Sequence, residues 1–174
     1  MADVNAYARD VLAFVEAHAH YAPYVAFLLA FCESLVIVSL FIPATFVLLG
    51  LSPVIAASGM PLLPVWAATA AGAALGDSVS YWIGFRLKGS ARQCWPLNRF
   101  AGALERGERF FLRYGIWGVF LGRFSGPLRA IVPLIAGMFA MPQFQFQMVN
   151  ITSAMLWALV MLGPGAAVVK ALGY

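Results

Sequence analysis

Charge is scarce in this sequence. Asp, Glu, Lys and Arg make up 10% of its 174 residues, and 63% are hydrophobic. Soluble domains carry roughly 25% charged residues, so the composition is that of an integral membrane protein. Its length leaves room for only a few spans, and the whole chain, 1–174, reads as one domain. Histidine is rarer still. His18 and His20 are the whole supply, and residues two apart on a helix do not share a face. The two cysteines, Cys32 and Cys94, lack ligand spacing. No metal site and no cofactor are expected. Both histidines stand near the N-terminus, so a serine nucleophile would lack a base and an enzyme is not expected either. The first residues offer Asp3, Asp10 and Glu16 rather than a basic start before an apolar core, so no cleavable signal peptide is expected. No aromatic-rich soluble module accompanies the basic residues, which argues against nucleic acid as a partner.

The charge that is present is clustered. Residues 86–113 hold Arg86, Lys88, Arg92, Arg99, Arg106, Arg109 and Arg113 against Glu105 and Glu108. The positive-inside rule makes this a cytoplasmic loop. Its second half, 99–113, mixes Phe100, Leu104, Phe110 and Phe111 with those charges, the pattern of a surface helix on anionic headgroups. Residues 3–18 place Val4, Tyr7, Val11, Phe14 and Val15 at helical spacing, an amphipathic helix too polar to span.

Four apolar segments complete the chain. Residues 22–57 carry Glu33 and are interrupted by Pro43, so they read as a re-entrant hairpin of two arms, 22–41 and 43–57. Residues 64–85 are long enough to span and hold one acid, Asp77, which should face the interior; Gly72 and Gly76 form a small-residue contact face. Residues 114–140 form a second interrupted segment. Residues 143–162 form a final span, ended by Gly163-Pro164-Gly165, with Asn150, Thr152 and Ser153 as interhelical hydrogen bonders. Glu33 precedes Pro43 by ten residues and Arg123 precedes Pro133 by ten, each in a hairpin followed by a span. The fold expected is therefore all-α, an inverted repeat of two re-entrant hairpins with their transmembrane helices and flanking interfacial helices.

The stretch Trp117–Gly137 is the most informative. It is apolar apart from Arg123 and Arg129, with Gly126-Pro127 between them and Pro133 after, and Pro127 and Pro133 read as hairpin breaks like Pro43. Each arginine in such a segment costs about 3 kcal/mol on insertion scales, which is tolerated only where it faces protein, water or an anion. Pro127 breaks the helix, and freed backbone at membrane depth belongs where it lines a buried site. A new helix beginning at Pro127 and capped by Ser125 would add amides to the two guanidinium groups. Arg123, Arg129, Ser125 and Gly126 are thus candidate ligands of a phosphate-sized anion. Glu33 and Asp77 have two readings: buried partners that neutralise the arginines, or proton-coupling groups whose protonation answers to the bound anion.

Three motifs resemble one known family. FCESLVIVSLFIPATFVLLG at 31–50, GDSVSYWIG at 76–84 and GRFSGPLRAIVPLIAGM at 122–138, with the span holding Asn150 and Trp157, are similar to the DedA membrane proteins, also called SNARE-associated or VTT-domain proteins. The resemblance covers about 22–164 and implies two opposed re-entrant hairpins in the bacterial plasma membrane. It also implies lipid translocation, of undecaprenyl phosphate or of phospholipids, with proton or ion coupling. By motif, Glu33, Arg123 and Arg129 match positions regarded as essential there, and Asp77 matches the middle motif. Thr45 stands where many members carry an acid after the first hairpin proline, which leaves Glu33 alone or with Asp77 for proton coupling. Many members also continue into a further C-terminal span, so this is a short member or a fragment. The function expected is a transporter of a lipid phosphate headgroup; a non-transporting membrane scaffold is the alternative. The sequence is compatible with a homo-oligomer.

Overall fold

A computed structural model describes residues 19–35, 61–87, 101–125 and 128–171. Among the described residues, a short 3-10 turn at Ala19–Tyr21 is followed by six α-helices: α1 Ala22–Ser34, α2 Leu62–Leu87, α3 Ala101–Tyr114, α4 Ile116–Gly122, α5 Ile131–Met138 and α6 Gln143–Ala171. Three of them begin around a proline in their first turn, Pro23 in α1, Pro64 in α2 and Pro133 in α5. There the missing N–H would have had no helical partner in any case. Pro133 therefore helps to start a helix; it is not one of the chain breaks.

Among the described residues two helices, α2 and the 143–164 part of α6, are long and apolar enough to cross a membrane. α6 does not stop at Gly163-Pro164-Gly165 as the sequence suggests. Pro164 lies inside it and the helix runs on to Ala171. A proline forfeits one backbone bond, which a membrane helix accommodates by local adjustment. α1 ends earlier than the 22–41 arm expected. Leu35 is extended (φ −76°, ψ 121°), and its N–H donates to Phe31 O and Cys32 O at 3.2 and 3.3 Å, closing the last turn. The expected helix 3–18, the second arm of the first hairpin, Pro43 and Thr45 lie outside the described residues.

The helices pack around two apolar clusters. One joins Tyr81 of α2 to Leu104 and Phe111 of α3, most of α5, and Phe146 of α6. The other joins Ala26 and Ala30 of α1 to Val65 and Ala73 of α2 and Trp157 and Ala158 of α6. The order is the same on both long helices: apolar, then polar (Asp77 and Ser80 on α2, Asn150 and Ser153 on α6), then apolar again. The polar layer lies about 15 Å from the C-terminal end of α2 and about 10 Å from the start of α6 at the helical rise per residue. α3 differs from expectation in one respect. Its apolar side, Leu104 and Phe111, packs in the protein core rather than facing headgroups, while Arg106, Arg109 and Arg113 point outward. Thr152 also differs: it is exposed and bonds its own helix at Met148 O, 2.9 Å, and Ser153 does likewise at Asn150 O, 3.0 Å. Of Asn150, Thr152 and Ser153, Asn150 is the one shown bonding to other elements.

Close backbone approach makes this packing. Gly72 and Gly76 face the α1 carbonyls of Phe27 and Phe31, as the small-residue spacing predicts. Gly84 faces the Leu134 carbonyl of α5, and Gly137 faces the Tyr81 carbonyl of α2, a reciprocal contact. A methyl at Gly84 would overlap backbone, which cannot rotate away. Gly84→Ala is expected to destabilise the protein by about 2–3 kcal/mol. Gly102→Ala on α3, where nothing lies within 4 Å, should be neutral or stabilising by up to about 1 kcal/mol. Thermal unfolding of the two variants in detergent checks the pair.

Candidate functional site

The site is built where the chain between α4 and α5 crosses the polar layer. Arg123 caps α4 in a helical conformation (φ −59°, ψ −31°) and Arg129 lies in the turn before Ile131. Both are buried, 3% and 6% exposed. Arg123 Nη2 donates to Asp77 Oδ2 of α2 and, at 2.6 Å, to Asn150 Oδ1 of α6. Arg129 Nη1 donates to Glu33 Oε1 at 2.9 Å and Nη2 to Ser34 Oγ at 3.2 Å, both on the last turn of α1. The Arg129 guanidinium also lies 3.8 Å from the centroid of the Trp157 ring of α6. A desolvated cation over an indole gains about 2 kcal/mol.

Glu33 and Asp77 are as deeply buried as their partners, 6% and 2% exposed. Two cations therefore face two anions. Asp77 is within electrostatic reach of Arg129 as well as Arg123, so the two pairs act as one network whose formal charge cancels. Neighbouring groups hold it in place. Ser80 Oγ donates to Ser34 O at 3.0 Å, tying α2 to the end of α1. Asn150 Nδ2 donates to Ala74 O at 2.9 Å, so its amide oxygen is the end left for Arg123. Arg123 Nε and Nη1 and Arg129 Nε have no hydrogen-bond partner among the described residues. Asp77 Oδ1 has none either, so the Arg123–Asp77 contact runs through one nitrogen and one oxygen, and a guanidinium offers further donors beyond it.

The four charged residues singled out in the sequence are thus brought together, as crossed pairs. The repeat matched Glu33 to Arg123 by position, yet Glu33 binds Arg129, and Arg123 binds Asp77. Ser125 does not cap a following helix. Its Oγ donates back to Leu121 O at 3.0 Å, and α5 starts only at Ile131 with Ala130 at its N-cap and no side-chain cap bond. The hydroxyl satisfies the end of α4 instead. Gly126 and Pro127 lie outside the described residues. The sequence alone does not mark Ser34, Trp157 or Asn150 as arginine partners. A signal existed: Asn150 and Trp157 are seven residues apart, two turns on one helix face, and that face receives both cations.

The VTT domain model matches residues 42–167, most of the chain. The chain belongs to the VTT-domain, or DedA, family. It is 33% identical over 138 residues to inner membrane protein YabI of Escherichia coli (strain K12), covering 79% of this chain and 54% of the relative. It is 31% identical over 150 residues to inner membrane protein YghB of the same organism, covering 83% and 66%. An uncharacterized membrane protein of Buchnera aphidicola subsp. Baizongia pistaciae is 30% identical over 154 residues, 88% and 60%. The chain spans about half to two thirds of the length of these curated relatives. No solved structure matches it. Like YabI and YghB, this DedA-family chain is an inner membrane protein. The matched residues include Asp77, Arg123, Arg129, Asn150 and Trp157; Glu33 precedes them.

The pairing has a measurable consequence. Asp77→Leu leaves Arg123 buried without its carboxylate and is expected to cost about 3–5 kcal/mol of stability. Adding Arg123→Met should restore most of that loss, because an apolar pair of similar volume replaces the ion pair. Glu33→Leu with Arg123→Met should show no such recovery, since Glu33 serves Arg129. Thermal unfolding of the single and double variants distinguishes the crossed pairing from the repeat-matched one.

Proposed function

We propose that this DedA-family domain is a carrier, not an enzyme, and moves a lipid phosphate headgroup across the inner membrane. The observation that carries the reading is the pair of buried guanidinium groups at a helix break, with Arg123 Nε and Nη1 and Arg129 Nε unused among the described residues. Arginine forks suit phosphate oxygens. The family resemblance favours undecaprenyl phosphate. A phospholipid such as phosphatidylethanolamine is the alternative, because the charges treat any lipid phosphate alike.

α4 and α5 have seven and eight residues, so each rises only about 10–12 Å against a hydrocarbon core of about 30 Å. That supports a re-entrant hairpin entering from the side of the basic 86–113 segment; the opposed first hairpin rests on the family resemblance alone. Electrostatics supports proton coupling. The network is formally neutral, so an incoming anion leaves excess negative charge in hydrocarbon unless Glu33 or Asp77 takes a proton. With Thr45 in place of an acid, those two carboxylates are the groups the reading relies on.

A second reading is a non-transporting membrane scaffold, favoured by the one-to-one pairing of arginines with carboxylates. Liposome reconstitution with leaflet-resolved detection of labelled polyprenyl phosphate and phosphatidylethanolamine separates the two. The carrier predicts wild-type translocation, with Arg123→Ala and Arg129→Ala each slower by at least about 30-fold, the loss expected for truncating one partner of a buried charged contact. Equal leak rates for wild type and both variants support the scaffold.

A further inference from the structure

The face of α6 that delivers Asn150 to Arg123 starts outside the core. Gln143, Gln147 and Asn150 stand at i, i+4 and i+7, one stripe along the first two turns. Burial deepens along it: Gln143 is exposed, Gln147 half-buried and Asn150 fully buried. The stripe faces α2. Gln147 Nε2 donates to Ser78 Oγ at 3.0 Å, and Asn150 Nδ2 lies 3.3 Å from both Ser78 Oγ and Gln147 Oε1. At its inner end Asn150 Oδ1 accepts from Arg123. A hydrogen-bonded run of polar side chains therefore leads from half-buried Gln147 and Ser78 through Asn150 to a guanidinium with two spare nitrogens, with Gln143 one turn outside it on the same stripe.

Ser78 also borders an open, almost wholly apolar groove of about 570 Å³ along α2, lined by Leu75, Val79, Trp82, Ile83 and the aliphatic stem of Arg86. The Arg86 guanidinium stacks 4.8 Å from the centroid of the Trp82 ring. That end of α2 lies beside the start of α6, where Tyr81 OH donates to Met141 O. An apolar wall with a cation beside it, stacked on Trp82, suits a lipid phosphate, its chain on the wall and its phosphate at Arg86.

We propose that the seam between α2 and α6, at Ser78 and Gln147, is the route by which a lipid phosphate passes from Arg86 to Arg123. This rests on the carrier reading above. Ser78 and Gln147 are positioning residues: hydroxyl and amide groups that partner phosphate oxygens in transit without holding them as a fixed charge would. A negative charge at Gln147 closes the seam to an anion, and a positive charge draws the anion in.

The test is the leaflet-resolved liposome assay with labelled polyprenyl phosphate at several concentrations, on Gln147→Glu, Gln147→Lys, Ser78→Ala and the off-stripe control Gln145→Glu. The expected result is an apparent KM raised about tenfold or more by Gln147→Glu and lowered by Gln147→Lys, with a modest rise for Ser78→Ala and no change for Gln145→Glu. Gln143→Glu, exposed at the foot of the stripe, repeats the test where folding is not at stake. A merely structural role would make both charges at Gln147 harmful, and that result overturns the proposal. So does an equal effect of Gln145→Glu and Gln147→Glu. If every seam variant stays within twofold of wild type while Arg123→Ala is inactive, the seam is wrong and the carrier reading stands. If wild type moves no more lipid than Arg123→Ala, the carrier reading fails and the seam falls with it.

Discussion

Arginine stays charged wherever it is placed, and two of them are buried here in a segment of hydrocarbon-compatible composition. The rest of the described structure is arranged around that constraint. Carboxylates come from two helices, an amide and an indole from a third, and a hydroxyl from the end of α1. The result is a polar layer between two apolar clusters. The clusters exclude water on both sides, and exclusion strengthens every interaction inside the layer. It also makes any change of charge there expensive.

The break between α4 and α5 follows from the same constraint. Arg123 and Arg129 are six residues apart, and on one continuous helix they would point about 120° apart. Interrupting the helix turns both toward the layer, one to α2 and one to α1. The glycine contacts serve the same end. Gly72 and Gly76 let α1 lie against α2, which brings Glu33 and Asp77, from separate helices, into one network. Gly84 and Gly137 lock α5 on the other side. Sequence, packing and electrostatics therefore converge on one short stretch of α2, from Gly72 to Gly84.

Much of this was legible beforehand because charge is so rare in the chain. Four ionisable residues in apolar segments could hardly be anything but a buried group, and their joint placement follows from the cost of leaving any one alone. α2 and the start of α6 were legible from length and apolarity. Partner choice was not. The repeat relates Glu33 to Arg123, but contact depends on which helix each guanidinium can reach across the break, and spacing along the chain does not encode that. Ser125 misled for a local reason: the same hydroxyl that can cap a following helix can satisfy the preceding one, and it bonds Leu121. Pro164 misled because a proline is a weaker stop in a membrane helix than in water. Trp157 read as an apolar residue of a span, and its role as a cation platform became visible only with Arg129 above it.

On the carrier reading proposed above, neutrality of the four-charge layer carries one expectation that binding alone does not: an entering anion brings a proton or displaces a carboxylate that takes one up. The direct measurement is proton uptake on adding short-chain polyprenyl phosphate to the purified protein in weakly buffered detergent, read with a pH indicator. The account predicts uptake of about one proton for each negative charge bound, lost in Arg123→Ala together with binding and reduced in Glu33→Gln with binding retained. Saturable binding with no proton uptake by the wild-type protein would contradict it.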